Sequence, residues 1–298
     1  MNPHRLKAYF YLIVVTIIWG LAEPVIKYTL GGIPPLLFLV YRFSLSAFLA
    51  IVIFAITGAG FPKDKKVIFE LFLYGFIATL SLALLFFGLE KTTVLDAVII
   101  NLINPLIISA AGVYFLKEHV TKREKFGMAI ALLGTIVTVA EPLIQNGHGL
   151  TRLSGNILIF FYLLAAAASA VLAKKLLKAG VNPLFLTNFF FILGFAVLLP
   201  FALPRYTLSS LAGIPLSYHL GVIFMAMISG SFAYYLSNKA QKTIEIGEAS
   251  VFSYLYPVIA APIAVMWLKE KITPMLILGA VIITVGVVIA ELKKRQYN

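Results

Sequence analysis

Apolar residues run along this chain in long stretches, broken by short clusters of charge, proline and glycine. The stretches fall at about Ala8 to Leu30, Pro34 to Thr57, Val67 to Leu89, Leu95 to Leu116, Phe126 to Leu143, Ser154 to Leu177, Pro183 to Leu203, Leu216 to Asn238, Glu248 to Leu268 and Pro274 to Leu292. A bilayer core takes about 20 apolar residues per helix, so the pattern predicts an all-α membrane protein with ten transmembrane helices. The first stretch follows Arg5 and Lys7, as in a signal peptide, but its apolar run exceeds that of a cleavable one. It is expected to be a retained helix.

Composition agrees with this pattern. Of 298 residues, 61% are hydrophobic and 12% charged, against about 45–50% and about 25% in soluble domains. A soluble enzyme is excluded. The net charge of +12 would suggest nucleic acid in a soluble protein, but its placement says otherwise. With the N-terminus inside, 17 of the 24 Lys and Arg fall on six short inner segments. Five fall outside, at Lys91, Arg152, Arg205, Lys269 and Lys271, and Lys27 and Arg42 remain within helices. The bias reports topology: a multi-pass protein of the inner (plasma) membrane, both termini cytoplasmic, with lipid and no nucleic acid as partner.

The chain has no cysteine, no phosphate-binding glycine loop and no HExxH. Its histidines, His4, His119, His148 and His219, lie in termini, loops or helix ends. Neither catalysis nor a cofactor or metal is implied.

The fourth and fifth helices recur as the ninth and tenth at an offset of 152. Asp96-Ala97 matches Glu248-Ala249, Pro105 matches Pro257, and Leu116-Lys117-Glu118 matches Leu268-Lys269-Glu270. Thr121 matches Thr273, and Gly127 and Gly134 match Gly279 and Gly286. At an offset of 148, Lys27, Gly32 and Pro35 match Lys175, Gly180 and Pro183. Two units follow, residues 1–143 and 152–298. Five crossings return the chain to the opposite side, so the units form two inverted five-helix repeats. That arrangement is linked to alternating access around a midplane site. Each glycine pair, seven residues apart, shares a helix face suited to close packing.

Trp19-Gly20, Arg42-Phe43 and the repeated Pro, Leu-Lys-Glu and Gly-x6-Gly series resemble the drug/metabolite transporter superfamily, in its ten-helix EamA-type branch. The resemblance covers nearly the whole chain. It implies a central cavity and secondary transport, often efflux, in a superfamily that handles amino acids, nucleotide-linked sugars, cations and other metabolites. Glu23-Pro24 departs from the small or polar residues more usual there.

Charges inside a bilayer are costly and therefore informative. Glu23 lies four residues past the centre of the first helix, roughly 6 Å toward the outside. Arg42 falls at similar depth, and Lys27 stands one turn beyond Glu23 on the same face. Two readings follow. Glu23 engages a substrate ammonium or a proton while Arg42 or Lys27 engages a carboxylate; or Glu23 and Arg42 form an internal ion pair, with Lys27 reaching to the interface.

Pro105 and Pro257 fall mid-helix, where a missing backbone donor needs protein or a wet cavity nearby. They are the expected hinges. Asn101 and Asn104 precede the first, Tyr254 and Tyr256 the second. With Trp19, Ser81, Tyr234, Tyr235 and Asn238 they are candidate cavity walls. Acid and base at one depth favour a small zwitterion, such as an amino acid, as the exported substrate. A lipid flippase or a non-transporting scaffold is the alternative.

Overall fold

The computed structural model describes residues 3–58, 60–116, 122–143 and 149–291. Lys117, Glu118, His119, Thr121, His148 and the basic residues Lys293, Lys294 and Arg295 lie outside the described residues. Described residues form helices and no strand. These are α1 (Pro3–Leu30), α2 (Pro35–Thr57), α3 (Lys65–Lys91), α4 (Val94–Asn101), α5 (Asn104–Leu116), α6 (Lys122–Ala140) and α7 (Gly149–Lys178). They continue as α8 (Pro183–Ala202), α9 (Leu216–Ile223), α10 (Ala233–Gln241), α11 (Ile246–Ser250), α12 (Tyr256–Met266) and α13 (Pro274–Glu291). Among the described residues, eight helical runs are long and apolar enough to cross a membrane. The pair α4 and α5 makes a ninth if taken as one bent span, and Pro274–Ala290 is a shorter apolar helix.

Three expected helices are interrupted. The stretch from Leu95 to Leu116 bends by 40° between α4 and α5. There Leu102 and Ile103 donate three residues back, to Ile99 and Ile100, and Pro105, second in α5, has no donor to continue the α-ladder. The run around Pro257 tightens into a 3-10 turn over Val251–Leu255 before α12 starts at Tyr256. Between α9 and α10 the chain widens into a π-helix at Phe224–Phe232. That is a form frequent at functional sites.

The main helix pairings join the two parts of the chain: α1 to α10 and α12, α2 to α8, α3 to α7, and α6 to α13. The α6–α13 contact is a glycine seam. A methyl on Gly127 would lie 2.5 Å from the Gly286 carbonyl oxygen, and one on Gly286 would lie 2.6 Å from that of Gly127. The contact is reciprocal, and it lets two backbones touch.

Two lysines tie down helix ends in matching fashion. Lys27 Nζ donates to the carbonyls of Leu89 (2.7 Å) and Thr92 (2.7 Å), past the end of α3. Lys174 Nζ donates to those of Gln241 (2.7 Å) and Ile244 (2.6 Å), past the end of α10. The acceptors match at the offset of 152, so Lys174 does for α10 what Lys27 does for α3, while Lys175, the sequence match of Lys27, donates to Glu70. A helix end leaves its last carbonyls without intrahelical donors, and these ammonium groups supply them.

The glycine seam yields a test. Gly127→Ala pushes a methyl into backbone that cannot swing aside and is expected to cost about 1–3 kcal/mol. Gly60→Ala meets nothing within 4 Å and should leave thermal unfolding in detergent unchanged.

Candidate functional site

A single face of α1 carries Leu12, Val15, Thr16, Trp19, Ala22, Glu23 and Ile26 at helical spacing, and this stripe forms one wall of a central cavity of about 190 Å³. Opposite it stand Tyr74, Ser81, Leu82 and Leu85 of α3, Tyr162 and the small residues Ala166, Ser169, Ala170 and Ala173 of α7, and Tyr234, Ser237, Asn238 and Gln241 of α10. Arg42, Asn101, Asn104 and Tyr256 complete the polar lining. The cavity is thus bounded by helices of both parts of the chain. Its polar groups sit among apolar walls, as in small-molecule sites generally.

Glu23 and Arg42 both reach this cavity, but no ion pair joins them. Asn101 Nδ2 donates to Glu23 Oε1 at 2.5 Å, which leaves Oε2 buried with no hydrogen-bond partner. The break after α4 is what presents Asn101 to α1. Arg42 is 1% exposed, and its Nε and Nη1 have no hydrogen-bond partner. Its guanidinium lies 5.6 Å from the Phe86 ring centre and 5.9 Å from that of Phe43. Aromatic faces hold a cation in place without using its donors.

The remaining expected residues divide. Trp19 Nε1 donates to the Ser229 carbonyl at 3.0 Å, within the π segment, and packs edge-on to Tyr234 at 5.1 Å. Ser46 and Ser231 both donate to the Ala226 carbonyl in that segment. Asn238 Nδ2 donates to Thr187 Oγ1 at 2.9 Å, Ser81 donates to the Ala78 carbonyl, and Asn104 Oδ1 is buried without a partner. Lys27 does not join Glu23 and Arg42, because its ammonium is spent on the end of α3. Tyr254 and Tyr235 do not line the cavity. Tyr235 instead stacks under the Lys239 ammonium at 5.4 Å.

Sequence reasoning missed Thr16, Tyr74, Tyr162, Ser229, Ser237, Gln241, Ser250 and Ser253, which also line the cavity. Tyr234, Ser237, Asn238 and Gln241 follow the i, i+3, i+4, i+7 rule, so one of them could have announced the rest. Tyr74 stands seven residues before Ser81 on the same face of α3, so the same rule reaches it.

The EamA-like transporter family matches twice, over residues 6–140 and 153–292. The chain belongs to the EamA-like transporter family. It is therefore a multi-pass membrane transporter and not an enzyme. The uncharacterized transporter YyaM of Bacillus subtilis (strain 168) is 27% identical over 99% of this chain and 97% of its own. A "probable amino-acid metabolite efflux pump" of Salmonella typhimurium is 27% identical, over 94% of this chain and 93% of its own. The protein of that name in Escherichia coli (strain K12) is 26% identical, over 93% and 92%. A solved crystal structure, 16% identical, superposes with a TM-score of 0.69 over 98% of this chain and 100% of that one, and shows the shared fold.

Removing the Lys27 ammonium strands buried carbonyls at the end of α3. Lys27→Met is expected to destabilise the protein by about 2 kcal/mol or more. In the folded fraction it should leave substrate affinity within twofold, roughly the scatter of a distant substitution. Thermal unfolding followed by binding titration separates the two effects.

Proposed function

We propose that this EamA-family transporter exports a small zwitterion, an amino acid or a close relative, across the inner membrane. It does so by alternating access between two inverted halves, residues 1–143 and 152–298, with both termini cytoplasmic. The observation that carries the reading is the pairing of unused opposite charges in one cavity. Arg42 offers two unpartnered donors, and Glu23 offers one unpartnered oxygen.

An unpaired charge buried in an apolar interior is expensive. It is tolerable where a ligand of opposite charge completes it. A substrate carboxylate fits Arg42, whose planar fork suits two oxygens, and a substrate ammonium fits Glu23. Glu23 can hold a proton when the ammonium leaves, which couples export to proton entry. The break before Pro105 and the 3-10 turn before Pro257 border the cavity through Asn104 and Tyr256, and they serve in this reading as hinges that flex as it changes sides. The likeness to proteins named amino-acid metabolite efflux pumps points the same way, as do the reciprocal contact of Gly127 with Gly286 and the matched Lys27 and Lys174 caps.

The test is flux of labelled amino acids in proteoliposomes. Saturable exchange is expected, and it should fall more than roughly tenfold in Arg42→Met, since a desolvated charge contact is lost. The same variant should unfold at a higher temperature than the parent when no substrate is present, because a stranded charge has been removed. Glu23→Gln should stay folded and lose its dependence on a proton gradient. Flux that neither substitution alters, or no saturable flux of any amino acid, overturns the substrate class.

A further inference from the structure

Two ion pairs lie at opposite ends of α1, a helix of 28 residues and so about 42 Å long. At one end Arg5 Nη2 meets both oxygens of Glu248, at 2.7 and 2.9 Å, and Tyr9 donates to the same carboxylate. At the other, near the Lys27 cap, Arg152 meets Asp96 through Nε (2.6 Å) and Nη2 (2.7 Å). Thr92 donates to Asp96 and also contacts Asn156.

The two sites correspond residue by residue. Arg5 and Tyr9 stand 147 before Arg152 and Asn156, and Asp96 stands 152 before Glu248. In each, the start of a long cavity-lining helix is clamped to the start of a proline-broken helix. We propose that these pairs are latches closing the cavity alternately toward the two membrane faces, a device that rests on the alternating-access reading above.

The latches differ in strength, and the packing beneath them explains why. Below the Arg152 latch, α3 and α7 cross at Gly88 and Gly155, where a methyl on Gly155 would lie 2.9 Å from the Gly88 carbonyl oxygen. The equivalent crossing of α1 and α10 has Ala8 and Ala240, a methyl on each helix where the other crossing has none. The Arg152 latch is correspondingly sealed, with Asp96 fully buried, Arg152 18% exposed and Glu141 a further partner at 3.3 Å.

Glu270 reinforces that end by accepting from the Val94 and Leu95 amides at 2.8 and 2.9 Å. Burial pushes its carboxyl above the ordinary range, and the two amide bonds pull it back. The Arg5 latch is open to solvent, with Arg5 50% and Glu248 29% exposed. The cavity lining reaches toward it through Leu12, Ile246, Ala249 and Phe252, and Phe252 stacks on Tyr9. The Arg5 latch is the one that releases first from the state seen here.

The chain has no cysteine, so Ser81→Cys places a single thiol in the cavity. Its rate of reaction with a membrane-impermeant maleimide, applied from one face and then the other in proteoliposomes of sorted orientation, reads which latch is open. Adding Glu248→Gln should speed labelling from the Arg5 face about two- to fivefold, the effect of a weak exposed pair. The charge exchange Arg5→Glu with Glu248→Arg should restore the parent rate. Adding Asp96→Asn should turn the cavity over, with labelling faster from the Arg152 face and slower from the other. If Asp96→Asn does not fold, the Arg5 arm decides by itself. A thiol labelled from one face at a time, at rates these substitutions leave unchanged, overturns the latches and spares alternating access. A thiol labelled from both faces at once in every variant overturns alternating access.

Discussion

The structure depends on how backbone groups are satisfied where helices stop inside an apolar bundle. Water cannot supply the missing donors and acceptors there, so side chains must. Lys27 and Lys174 do this for the ends of α3 and α10, and Glu270 does it for the start of α4. Each cap sits just before or at the start of a helix, α4 or α11, whose run is interrupted further along.

The same economy explains why buried charges have such different meanings here. Lys27, Lys174, Asp96 and Arg152 are all embedded, and all are partnered. Two donors of Arg42 and one oxygen of Glu23 are embedded with no hydrogen-bond partner. In a medium that penalises stranded charge, the first set is satisfied within the protein and the second is not. The count of hydrogen-bond partners distinguishes them.

Small residues set how closely the helices approach. The Gly127–Gly286 seam brings backbones into contact and packs α6 against α13. Gly88 and Gly155 do the same for α3 and α7, whereas the matching positions on α1 and α10 are Ala8 and Ala240.

Helical class and membrane residence were legible in the chain because each rests on local spacing, in apolar runs of about 20 residues and a charge bias across short segments, and matches such as Asp96 with Glu248 and Gly127 with Gly279 link the two segments that the family matches. Part of the polar lining was legible too, since Trp19, Glu23, Arg42 and Asn101 are polar groups where lipid forbids idle ones. What the sequence could not determine was which partner each group would find. Lys27 and Glu23 share a helix face, yet one turns to the end of α3 and the other to Asn101, a choice made by the bend that swings α4 against α1. The π segment and the Lys174 pairing are likewise outcomes of packing between distant helices, where the energy of a contact depends on atoms far along the chain rather than on sequence neighbours.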